Sequence, residues 1–73
     1  MHDKMQLTEN FIIENEICND DELRLVYDLC GRDIEVCNRI IYARTGYHGV
    51  EQLYFCERKN YNFSPELLEA YEL

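Results

Sequence analysis

Basic residues are scarce in this chain: seven Lys and Arg stand against fifteen Asp and Glu, a formal net charge of −8. Phosphate binding draws on clustered Lys and Arg, so direct contact with nucleic acid is not expected. Long apolar runs are missing too. Stretches such as Phe11-Ile12-Ile13 and Leu53-Tyr54-Phe55 are only a few residues long, far below the ~20 that cross a bilayer. Met1-His2-Asp3-Lys4-Met5 has neither the basic region nor the apolar run of a signal peptide. The expectation is a cytoplasmic protein without membrane contact, its thiols reduced.

Proline occurs once, as Pro65, and serine once, as Ser64. No Pro/Gly/Ser linker, repeat or low-complexity segment divides residues 1–73, so one small acidic domain is expected. With a single serine there is no Ser/His/Asp set spaced for nucleophilic work, and no enzymatic activity is expected. Cys18, Cys30, Cys37 and Cys56 include no Cys-x-x-Cys pair. Zinc sites usually hold two ligands on one short knuckle, and here even His2 or His48 would have to be recruited. Small buried hydrophobes are the better reading of these thiols, so neither metal nor cofactor is expected. No glycine precedes Gly31, which removes the turn that a calcium loop needs around its carboxylates.

Hydrophobic residues make up 47% of the chain, enough to build a core and to argue against disorder. Helical punctuation is abundant. Asn19 or Asp20 can cap a helix through Leu23, Val26, Leu29 and Cys30, with Asp21 and Glu22 at its positive end and Gly31 as its stop. Asp33 can cap a second, in which Ile34, Cys37, Ile40 and Ile41 share a face, ending at Thr45-Gly46. A third covers Val50 to about Glu57, with Val50, Leu53 and Tyr54 inward. Ser64-Pro65-Glu66 opens a last helix whose apolar side is Leu67, Leu68 and Tyr71.

Two segments read two ways. Thr8-Glu9-Asn10 could cap a helix through Phe11, Ile12 and Ile17, or residues 10–13 could be extended. Leu53-Tyr54-Phe55-Cys56 and Tyr61-Asn62-Phe63 could pair as a hairpin. Helix is favoured in both places. The fold class expected is mainly α: a compact bundle of about four short helices, with a small β-hairpin or an N-terminal extended segment as the variants.

The charge is uneven. Residues 1–35 carry ten acids and three bases, and residues 36–73 carry five acids and four bases. Glu14, Glu16, Asp20, Asp21 and Glu22 crowd into nine residues. They read either as a solvated acidic face that also starts a helix, or as a docking surface for a basic protein. Arg44-Thr45-Gly46-Tyr47-His48-Gly49 is the loop richest in side-chain chemistry. It reads as a helix stop and turn with Tyr47 packed back, or as a recognition loop bearing Arg44, Tyr47 and His48. Of six tyrosines, Tyr47 and Tyr61 fall in expected loops and are the candidate surface anchors.

The function expected is non-enzymatic: a protein-binding inhibitor or adaptor with a basic partner, itself a nucleic-acid-binding protein in the sharpest version. That version is an acidic DNA mimic from a phage or mobile element, an anti-CRISPR or restriction inhibitor, and its likeness to such decoys is one of size and charge only. Two alternatives stand beside it. The helix that stops at Gly31 and the helix capped by Asp33 outline a helix-turn-helix regulator, and a structural or homo-oligomeric helical domain would gain core by association.

Overall fold

The computed structural model describes residues 3–73. Five helices follow one another: α1 Lys4–Glu14, α2 Asp20–Cys30, α3 Ile34–Thr45, α4 Val50–Glu57 and α5 Pro65–Ala70. The described residues contain no strand. The hairpin variant is therefore replaced by α4 and a loop, and the extended N-terminal variant by α1.

Helix starts follow from side chains that reach orphan backbone donors. Asn19 Oδ1 accepts from the Glu22 N–H at 2.8 Å, Asp33 Oδ1 from the Glu35 N–H at 3.1 Å, and Ser64 Oγ from the Leu67 N–H at 3.1 Å. These are the starts expected from the sequence. The start of α1 is not. Its cap is Asp3, whose carboxylate accepts from the Met5 and Gln6 N–H groups, so Thr8, Glu9 and Asn10 lie inside the helix. Thr8 is fully buried there. Its hydroxyl donates to the Lys4 carbonyl at 2.7 Å, which leaves it to accept from the Tyr71 hydroxyl at 2.6 Å.

The end of α1 also differs from expectation. Glu16 adopts a left-handed φ of 56°. Its N–H bonds to the Ile13 carbonyl, and the Ile17 N–H bonds to the Ile12 carbonyl at 3.0 Å. This is the Schellman pattern, with glutamate where glycine is usual. The turn folds Ile17 back so that Ile12 and Ile17 are both buried. Ile17 thus belongs to the core but not to the helix.

Helix α1 packs on α3 and α5, and α2 packs on α3. The core they enclose contains Phe11, Ile12, Leu23, Cys37, Ile41, Val50, Leu53 and Leu67. The segment after α4 is held from a distance. The Asn62 N–H donates to Asn15 Oδ1 at 2.8 Å, and Asn15 Nδ2 donates back to the Asn62 carbonyl at 3.2 Å. That reciprocal bond lays Phe63 over Phe11 at a centroid separation of 5.0 Å. At the α3–α4 corner, Gly46 ends α3 in the left-handed conformation (φ 83°) and its N–H returns to the Tyr42 carbonyl.

Candidate functional site

The first five candidate residues meet at the α1–α2 corner. Glu14 closes α1, Glu16 occupies the left-handed turn, and Asp20, Asp21 and Glu22 form the first turn of α2. Carboxylates there are favoured by the positive end of the helix dipole. Glu14, Glu16, Asp20 and Asp21 are exposed, while Glu22 is half-buried. The acids are not equivalent. Asp20 faces Arg24 one turn on at 3.5 Å, and Glu22 is paired with Arg44 from the last turn of α3. Glu14, Glu16 and Asp21 make no ion pair with a described residue, and neither does Asp28 further along α2.

Ile13, Ile17, Cys18, Glu16 and the Glu22–Arg44 pair surround a shallow hollow of about 240 Å³ at this corner. Burial pushes the Cys18 thiol up, and the Glu22 charge adds to that while Arg44 opposes it. A thiol so placed is held in its neutral form and is a poor nucleophile.

The structure separates the residues of the second candidate group. Arg44 belongs to α3 and turns toward α2. His48 stacks on Tyr42, with centroids 4.4 Å apart and rings 9° from parallel. Two residues apart on α3, Tyr42 and Arg44 lie about 200° apart around the helix, so Arg44 and His48 serve opposite edges. Tyr47 and Tyr61 are half-buried rather than free surface rings. The Tyr47 hydroxyl donates to Glu57 Oε1 at 2.7 Å, which holds that phenol above its usual range. Tyr47 is therefore tied to α4 through its hydroxyl while its ring packs against the core. Tyr61 packs at 6.3 Å from Phe11. The tyrosine that is exposed is Tyr42 (47%).

The cysteines divide equally. Cys18 and Cys37 are buried, as their reading as small hydrophobes requires, but Cys30 and Cys56 are exposed, and all four are free thiols. Among the described residues, no group of three or more His, Cys, Asp or Glu is placed to hold a metal ion. His2 lies outside the described residues. No described helix is long and apolar enough to cross a membrane.

One feature of the surface was missed from the sequence. On α2, Leu23 is buried and Val26 and Tyr27 pack against the core, while Leu25 and Leu29 are exposed. Two apolar stripes run along α2: Leu23, Val26 and Tyr27 on one side, Leu25 and Leu29 on the other. Helical spacing contains both. A larger groove of about 660 Å³ runs between α3 and α4, floored by Ile34, Val50 and Phe55 and edged by Lys4, His48 and Cys56. Comparison with protein-family models, with curated proteins and with solved structures returned no match to this chain.

Proposed function

We propose that this chain is a non-enzymatic protein-binding inhibitor or adaptor of the cytoplasm, whose acidic first half docks on a basic partner. The observation that carries the reading is the α1–α2 corner, where Glu14, Glu16 and Asp21 are exposed with no described cation in contact. Uncompensated carboxylates of one sign raise the local potential and steer a basic surface toward it. Its sharper form is a decoy, encoded by a phage or mobile element, that sets carboxylates where a restriction or CRISPR effector expects phosphates. The net charge of −8 supports that form.

The test is capture of partners on the tagged protein from a lysate, washed at low and high salt and with competing DNA. The expected result is a basic, nucleic-acid-binding protein released by salt and by DNA. That protein should then lose affinity for a variant with Glu14, Glu16, Asp20, Asp21 and Glu22 changed to amides. Unchanged affinity of the amide variant would overturn the reading.

A further inference from the structure

Leu25 and Leu29 lie one turn apart on α2 and are 62% and 79% exposed. A single exposed leucine is ordinary on a protein surface. Two aligned on one stripe form a ridge of the kind that packs against a facing helix. At 100° per residue, Asp21 and Asp28 fall along one edge of this stripe and Glu22 along the other. Leu23, Val26 and Tyr27 occupy the opposite side and hold α2 to the body of the protein. The ridge is therefore presented outward on a helix anchored from behind, with the carboxylates of Asp21 and Asp28, unpaired among the described residues, along one edge and Glu22, paired with Arg44, along the other.

We propose, resting on the reading that the acidic half meets a basic protein, that Leu25 and Leu29 are the apolar anchor of that contact. The occupant is an amphipathic helix whose apolar stripe is bordered by Lys and Arg. Charge selects this occupant from the others that an apolar ridge could take. A second copy of the chain would set Asp21 and Asp28 of each molecule against the same residues of its neighbour, and like charges at that spacing repel. An anionic membrane surface would be repelled in the same way. A basic amphipathic helix meets both demands: its apolar residues cover the leucines, and its flanking bases reach Asp21, Asp28 and the exposed corner acids. Carboxylates alone bring a basic surface close; the leucines determine which basic surface stays.

The experiment titrates two synthetic peptides of identical composition into the full chain, followed by NMR shifts of the backbone amides. One carries Leu at i, i+3, i+4 and i+7 with Lys at the remaining positions. The other scrambles the order so that Leu is spread around the helix. The amphipathic peptide is expected to bind at least about tenfold more tightly, with the largest shifts on α2 from Asp21 to Leu29. Changing Leu25→Ser together with Leu29→Ser should remove that advantage while leaving the circular dichroism spectrum unchanged, since both side chains face solvent. Equal binding of the two peptides would overturn the anchor and leave the acidic-surface reading standing. Failure of both peptides to bind would overturn both. Shifts centred on the α3–α4 groove would overturn the assignment of the ridge, and this outcome is read on the unsubstituted protein.

Discussion

The Arg44 guanidinium and the Glu22 carboxylate form an ion pair that ties the last turn of α3 to the first turn of α2. Each charge also sits at the helix end whose dipole favours it. The side chains are 51% and 42% exposed, so water and salt screen the attraction and its net worth is below about 1 kcal/mol. Glu22→Gln and Arg44→Met are each expected to lower the unfolding free energy by less than that, in urea titrations at low salt. The loss should shrink at high salt, and a double-mutant cycle should return a coupling that shrinks with it. A salt-independent coupling would mean that packing, not charge, joins the two helices here.

Glu16 carries a different kind of strain. A non-glycine residue in the left-handed region costs about 1–2 kcal/mol, and Glu16 adopts it (φ 56°) only because the Schellman turn closes on Ile12 and Ile13. Glu16→Gly is expected to stabilise the fold by about 0.5–1 kcal/mol after the added freedom of the unfolded chain is counted. For a domain of this size that raises the thermal midpoint by several degrees. Glu16→Ala removes the same charge but keeps the strain, so it should gain less than the glycine variant in the same melt. Equal gains would assign the effect to charge crowding at the corner instead.

This turn also shows why some of the fold was readable in the sequence and some was not. The starts of α2, α3 and α5 were legible because Asn19, Asp33 and Ser64 each bond to a backbone N–H two or three residues ahead. Such a bond is encoded locally. The end of α1 has no glycine to announce it, and what closes it is the burial of Ile17, a tertiary event. Tyr61-Asn62-Phe63 resembled half of a hairpin because nothing nearby reveals that Asn15 takes both backbone groups of Asn62. At the candidate surface the carboxylates were legible as charges. Which of them keep their charge uncompensated was not, since Arg44 reaches Glu22 across 22 residues of chain. The side on which Leu29 lies was not legible for a related reason: α2 offers two apolar stripes, and packing against α3 decides which one is buried.

Gly49 and Asn38 give a prediction about close approach. A Cβ at Gly49 would stand 2.7 Å from Asn38 Oδ1, and that oxygen is buried without a hydrogen-bond partner. Gly49→Ala must push the amide aside and also hold a side chain at a backbone φ of 158° that few adopt, and is expected to destabilise by about 1–3 kcal/mol. Asn38→Ala should cost less than removal of a satisfied amide would, because the oxygen it deletes has no bond to lose. Combined, the two substitutions should be markedly less destabilising than the sum of the single changes, as contacting residues are when one relieves the other. Additive losses in chemical denaturation would show that the alanine methyl is accommodated without displacing Asn38.

High pH should expose the cost of keeping buried acids neutral. The Tyr27 hydroxyl lies 3.2 Å from Cys37 Sγ. Burial first, then its bond to Cys37 and the influence of the Glu9 carboxylate, pushes this phenol above its usual value of 10.0. Burial likewise raises Tyr71 from 10.0 and the Cys37 thiol from 9.0. For each group the folded pKa exceeds the unfolded one. The stability it contributes is therefore present in full below the unfolded pKa and is lost as pH rises through the folded pKa. Urea midpoints under reducing conditions should show no loss from these groups below pH 9.0, then fall as the unfolded chain begins to ionise its thiols and, above pH 10.0, its phenols. Tyr27→Phe deletes one of the raised groups. Its alkaline slope should be shallower than that of the parent, although its midpoint at neutral pH is lower for want of the hydroxyl contact. Parallel slopes in the two proteins would remove Tyr27 from the account and leave the loss to the other raised groups, Cys18, Cys37, Tyr47 and Tyr71.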